Sequence, residues 1–409
     1  MPRTGPSLLR RLPGTETFGR GTVSEVATAA AGLRFAPGVI HRASKRGLVI
    51  ANRHGETVLF EHPRAAGLPL LLADTPTPAE LAQRLGPPLE PGVISDLQAA
   101  EFLIEASDSP VVAAPARRPA VTLSRSGVML TGIAGPSRWL DHYLAPVVTS
   151  RLGRCLLLLT AAAGAGCLAA GPPGRLSGAS PATQVLLLLA LGLLTSLIHE
   201  LAHAVVLVHY GRTPRYAGFG LYWGAVSFYV DSTPALTLPR RARVVQALAG
   251  LAADAVTTSI LAVLAQTRTG PLLAAVFWSR AVLNATAIAL NALPVLEVDG
   301  HWALADYLDE PDLAPRARAA LADRLHRRRP PAGIGLAAYG AISLLAGFAL
   351  IAASVAIQWQ VLGGLITALV TGSVTDILIG CYLVIPLAIA VFASLAGLIW
   401  QAVAAPSHD

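Results

Sequence analysis

Residues 184–208 read QVLLLLALGLLTSLIHELAHAVVLV. The run is longer than the ~20 apolar residues that cross a ~30 Å hydrocarbon core. It nevertheless carries three ionisable side chains, His199, Glu200 and His203. Such groups are costly in a lipid-crossing helix and persist there because they do chemistry. The rest of the chain supports reading the run as a span. Of 409 residues, 54% are hydrophobic and 13% charged, against about 25% charged in soluble domains. Further apolar stretches lie at 155–171, 244–265, 272–293, 334–357 and 377–402. The expected fold is therefore a polytopic α-helical membrane protein of about six spans. A seventh stretch, 359–375, is short and contains glycine, and reads as a re-entrant or interfacial piece.

The formal charge of +7 rests on arginine, Lys45 being the single lysine. Arg151 and Arg154 precede the first span. Arg212, Arg215, Arg240, Arg241 and Arg243 follow the second, and Arg316, Arg318, Arg324, Arg327, Arg328 and Arg329 follow the fourth. The opposite loops hold only Arg175 and Arg268. This asymmetry predicts a multi-pass protein of the plasma (inner) membrane with its N-terminus in the cytoplasm. No basic–aromatic groove accompanies the charge, so nucleic acid is not an expected partner. Cys155, Cys167 and Cys381 all lie in apolar runs and read as small apolar filler. Residues 1–20 lack the apolar core of a signal peptide.

Composition divides the chain into a flexible N-terminus (1–32), a small cytoplasmic α+β domain (33–115), a connector with an interfacial segment (116–150) and a transmembrane domain (151–405). In the small domain, 48–52 and 57–60 read as strands joined by a short turn. Thr77-Pro78-Ala79-Glu80 is a capping box with proline at the first helical position. Val93, Leu97, Ala100 and Ile104 recur at helical spacing. Strands followed by short helices predict a winged-helix-like module. Residues 121–132 suggest another hairpin, and Trp139, Tyr143 and Leu144 an interfacial segment.

His199 and His203 stand one turn apart on one helix face, rising about 6 Å. That spacing lets both imidazoles bind one zinc ion, with Glu200 beside the water that zinc activates. Glu200 is then the catalytic base, passing a proton from water to the leaving amine. A catalytic zinc needs a third protein ligand, and Asp299 is the best candidate. The histidines lie toward the cytoplasmic end of one span, and Asp299 follows the cytoplasmic end of another running the same way, so both halves meet at similar depth.

HELAH in a transmembrane helix, followed by Asn291-Ala292-Leu293-Pro294 and then Asp299-Gly300 after a later one, resembles the site-2 protease family of intramembrane zinc metalloproteases over about residues 184–305. The resemblance implies zinc on His199, His203 and Asp299, Glu200 as base, and Asn291 as a substrate-positioning residue. Asp299-Gly300-His301-Trp302 and Tyr307-Leu308-Asp309-Glu310-Pro311 look like the branch of peptide zinc metalloproteases linked to ribosomally made, modified peptides. Leu251 stands where many members have proline, and His301 where glycine or tyrosine is common. His301 is expected to point away from the metal. Residues 219–230 resemble the membrane-associated hairpin of the family, where an edge strand holds unwound substrate, or else form an interfacial aromatic anchor. Asp254 and Arg280, near mid-span, either pair with each other or leave Arg280 to snorkel or meet a water-filled cavity. Asp376 reads as a helix start.

The expected activity is hydrolysis of a peptide bond in a peptide precursor or membrane-associated substrate, with leader removal in modified-peptide biosynthesis as the leading case. Residues 33–115 would bind the leader peptide, since the module resembles peptide-recognition domains of tailoring enzymes. The alternatives are a site-2 protease releasing a membrane-bound regulator, and a non-proteolytic zinc-containing transporter or immunity protein. The intact Glu200 argues against the last. The sequence predicts one zinc per chain, lost when His199 or His203 is replaced by alanine; full retention in the double variant, by metal analysis, would contradict it.

Overall fold

The computed structural model describes residues 9–11, 32–54, 56–107, 121–124, 127–173, 181–222, 225–267, 270–325 and 333–374, and scattered positions from 376 to 396. The chain is mostly helical, with a small strand-rich N-terminal region. That region contains β1 (Leu9–Arg11), β2 (Leu33–Phe35), β3 (Ile40–Ser44), β4 (Gly47–Ala51), β5 (Thr57–Phe60), α1 (Leu68–Leu71), α2 (Pro78–Leu85), α3 (Val93–Ala99) and β6 (Leu103–Glu105). Strands β1, β5, β4 and β3 form an antiparallel sheet in that order, and β2 pairs with β6. Helix α2 begins at the expected capping box: Thr77 accepts from the Glu80 N–H, and Glu80 from the Thr77 N–H. The helix read through Ile104 stops earlier. Glu101 adopts φ +56°, a left-handed conformation that ends a helix, and Ile104 lies on β6.

Register explains why β4 and β5 are apolar at nearly every position. Leu48 faces Phe60 and Ile50 faces Val58, and all four enter the module core with Leu68, Leu81, Leu97 and Phe102. Val49 and Leu59 pair on the opposite face, where they are fully buried against Leu236 of the helical half. A sheet covered on both faces loses the alternation that a solvated face would impose.

Next come β7 (Val121–Ser124), β8 (Gly127–Thr131), α4 (Ala134–Thr149), α5 (Arg151–Ala170), α6 (Pro181–His209), β9 (Tyr216–Tyr222) and β10 (Ala225–Val230). A 3₁₀ turn (Thr233–Thr237) leads to α7 (Arg240–Ala247), α8 (Ala249–Ala265), α9 (Pro271–Ala292), α10 (Asp299–Leu308), α11 (Leu313–Leu325) and α12 (Ile334–Thr371). The expected hairpins at 121–132 and 219–230 both form, and they join into one antiparallel sheet of order β10-β9-β8-β7.

Among the described residues, five helical segments are long and apolar enough to cross a membrane: Arg151–Ala170, Pro181–His209, Arg240–Ala265, Pro271–Ala292 and Ile334–Thr371. This is consistent with a multi-pass membrane protein. Exposed leucines line α5 (Leu152, Leu156, Leu158, Leu159) and α6 (Leu186, Leu189, Leu193, Leu194), apolar surface suited to lipid. Most of the sixth expected span, 377–402, lies outside the described residues. Before it, the Ser373 hydroxyl accepts from the Asp376 N–H and Asp376 from the Ser373 N–H, the reciprocal contact of a helix start.

Two segments differ from expectation. The span read at 244–265 is jointed, with Leu248 separating α7 from α8. The piece at 359–375 is no separate element to Thr371, because α12 runs unbroken for 38 residues, about 57 Å at 1.5 Å per residue.

Candidate metal centre

Helix α6 presents His199, Glu200 and His203 in its C-terminal half, and α8 crosses it there. The crossing is close because residue 250 is glycine. A Cβ at Gly250 would lie 2.4 Å from His199 Nε2 and 2.6 Å from His203 Nε2, so any larger residue displaces the imidazoles. Each imidazole is fixed through Nδ1. His199 Nδ1 lies 2.8 Å from Asp254 Oδ2 on α8, and His203 Nδ1 lies 2.8 Å from the Gln246 carbonyl oxygen in the last turn of α7. That carbonyl also accepts from the Leu248 N–H at the end of α7, and its second lone pair takes the imidazole N–H. Carboxylate and carbonyl oxygens only accept. Both Nδ1 atoms therefore carry the proton, and both Nε2 lone pairs point elsewhere.

They point at each other and at Asp299. His199 Nε2 and His203 Nε2 are 3.3 Å apart, His199 Nε2 is 3.1 Å from Asp299 Oδ2, and His203 Nε2 is 3.5 Å from Asp299 Oδ1. Tetrahedral coordination with ligand bonds of about 2.0–2.1 Å spaces its donor atoms about 3.3–3.4 Å apart. Three electron-pair donors at this spacing repel unless a cation or a proton lies between them. The group His199, His203 and Asp299 can thus hold a metal ion.

Asp299 reaches the histidines because α10 starts close under the end of α9. A Cβ at Gly300 would stand 2.3 Å from the Ala292 carbonyl oxygen, which accounts for the Asp-Gly pair. Asp299 also occupies the first turn of its helix, where the backbone dipole favours an anion. Asn291 Nδ2 donates to Asp299 Oδ2 at 3.3 Å. Glu200 is not among the donors. Its Oε2 accepts from the Val230 N–H at 3.0 Å, which ties it to edge strand β10.

The structure therefore brings together His199, His203, Asp299, Asn291 and Glu200. His301 points away from the metal group, as expected, and is buried. The Tyr339 hydroxyl donates to the Pro294 carbonyl oxygen at 2.5 Å, so it accepts from His301 Nδ1 at 2.8 Å. Burial lowers the His301 pKa. Asp254 takes His199 as its hydrogen-bond partner. Arg280 donates to Asn284 one turn along α9 and meets Asp254 only as a nearby opposite charge. Sequence reading missed the roles of Asp254 and Gln246. The available signal was a carboxylate inside a span, where a metal-binding histidine needs a partner for its second nitrogen. In comparisons with known proteins, the chain matches no family model, no curated protein and no solved structure.

Asp299→Ala and Gly250→Ala are each expected to weaken metal binding by tenfold or more, while His301→Ala spares it. Chelator competition on the purified chain measures this. Loss of metal in His301→Ala with retention in Asp299→Ala would reverse the ligand assignment.

Proposed function

We propose that this chain is an intramembrane zinc metalloprotease that hydrolyses a peptide bond of a peptide precursor or membrane-associated substrate. The observation that carries the reading is the convergence of two Nδ1-anchored imidazoles on Asp299, with an unliganded carboxylate, Glu200, on the intervening residue. Two nitrogens and one carboxylate, buried and spaced for tetrahedral coordination, suit zinc better than magnesium or calcium, which prefer six or more oxygens. Bound there, zinc supplies a Lewis acid that polarises a carbonyl and makes water nucleophilic near neutral pH.

The remaining work falls to the chain. Glu200 takes a proton from the attacking water as the new C–O bond forms, and returns it to the amide nitrogen as the C–N bond breaks. The Val230 N–H bond holds Glu200 Oε2 toward β10. Among the described residues β10 is paired only with β9, so its other edge can add an extended substrate strand. Main-chain pairing of this kind presents the scissile bond beside the carboxylate and unwinds a helical substrate. Asn291, which donates to Asp299, is the substrate-positioning residue of this reading. The relation to site-2 proteases rests on the paired sequence motifs together with this geometry. The arginine asymmetry supports a cytoplasmic mouth and a cytoplasmic N-terminal module. Leader-peptide recognition by residues 33–115 is part of the same proposal.

Glu200→Gln should retain zinc yet cleave at least about 10²-fold more slowly, the usual worth of general acid–base catalysis. Product formation from a library of apolar synthetic peptides in detergent, followed by mass spectrometry, reads this out. Wild-type turnover in the zinc-loaded variant would remove Glu200 from the role of base.

A further inference from the structure

Helix α10 carries Asp299 at its first position, and its other end is gripped from two sides. The last carbonyls of a helix lack intrahelical partners and attract cations. Here Arg243 Nη2 bonds the Asp306 carbonyl at 3.0 Å, Arg240 Nε the Tyr307 carbonyl at 2.5 Å and Lys45 Nζ the Leu308 carbonyl at 2.6 Å. Arg240 and Arg243 belong to α7, but Lys45 belongs to the β3–β4 turn of the N-terminal module. Asp309, which closes the helix with φ +58°, accepts from Arg243 at 2.8 Å, Arg42 at 2.9 Å and the Lys45 backbone N–H at 3.1 Å. Arg42 uses the other arm of its guanidinium on the Leu236 carbonyl at 2.8 Å, in the turn that follows β10. Val49 and Leu59 bury the module's outer sheet face against the same Leu236.

We propose that the N-terminal module is a fixed positioning element of the metal centre. Arg42 and Lys45 hold the C-terminal end of α10, and through that ten-residue helix they set where Asp299 stands relative to His199 and His203. A helix this short is stiff, so a shift at Asp309 is carried to Asp299 about 15 Å away. Arg243 makes the coupling specific. It is almost wholly buried, and it joins α10 to the helix whose Gln246 carbonyl anchors His203. The same module residue, Arg42, also fixes the turn behind β10, whose Val230 N–H holds Glu200. One guanidinium thus bridges the elements behind the third ligand and behind the carboxylate base. Arg42 and Lys45 are positioning residues, since neither reaches the reacting atoms.

This inference rests on the metal reading above, and zinc affinity tests the two separately. Chelator competition on the full chain in detergent should give Arg42→Ala a zinc dissociation constant about tenfold higher than wild type, the lower end of the range for outer-shell partners of metal ligands. Arg53→Ala, which loses only contacts inside the module, with His54 and Glu101, should bind zinc as wild type does. Arg42→Lys keeps the charge opposite Asp309 but loses the second arm, and should fall between them; it also serves if the alanine variant does not fold. Thermal unfolding of the zinc-free chains separates positioning from general weakening. Reduced affinity with near-normal zinc-free stability supports the proposal. Wild-type zinc affinity in folded Arg42→Ala, or an affinity loss matched by an equal loss of zinc-free stability, overturns it. A wild-type chain that binds no zinc would instead overturn the metal reading itself.

Discussion

Two hydrogen bonds decide the character of this protein: Nδ1 of His199 to Asp254, and Nδ1 of His203 to the carbonyl of Gln246. Neither atom touches a metal or a substrate. Each commits the ring's only proton to the outer side, so the inner nitrogens present lone pairs to a carboxylate 3.1 and 3.5 Å away. Three acceptors at that separation inside an apolar bundle are unstable together unless a cation joins them. The surrounding structure is arranged to bring about that confrontation. Helix α8 must pass close enough to deliver Asp254, which requires glycine at 250. Helix α7 must end where Gln246 can turn its carbonyl inward, and the joint at Leu248 provides this.

The polar framework around α10 follows from the same need. Asp299 sits at the start of a short helix outside the long apolar ones, so its place is not set by bundle packing alone. Arg243, Arg240 and Lys45 cap the far end, Tyr339 on α12 ties down Pro294 in the approach, and Gly300 lets the turn lie against α9. Breaking a buried, multiply bonded cation such as Arg243 leaves uncompensated charge and costs about 3–5 kcal/mol. Fixing this helix is correspondingly firm.

How much of this was legible beforehand depended on how local each signal is. The ligand motif was readable because His199, Glu200 and His203 lie within one helical turn, and Asp299 because its place in the sequence matched the depth of the histidines. The anchors were not, since Asp254 and Gln246 lie 55 and 43 residues from their histidines and owe their roles to helix crossings. His301 shows why adjacency misleads. Two residues along an α-helix rotate the side chain by about 200°, so it faces α12 while Asp299 faces His199 and His203. The helix at 93–104 was overread because the left-handed Glu101 carries no glycine to announce it. Stretch 359–375 was underread: Gly363 and Gly364 suggested a break, but a lipid-exposed backbone must satisfy its hydrogen bonds internally, which favours continuing the helix. The two hairpins were visible singly, and their union into one sheet depends on pairing across the intervening α4–α6.

The central claim is that His199, His203 and Asp299 together hold one zinc ion. X-ray absorption at the zinc edge of the loaded chain tests it most directly. The account predicts a first shell of nitrogen and oxygen only, at about 2.0–2.1 Å, with the outer-shell scattering of two imidazoles, one of which disappears in His199→Ala. A sulfur shell near 2.3 Å, or a shell without imidazole scattering, would contradict it.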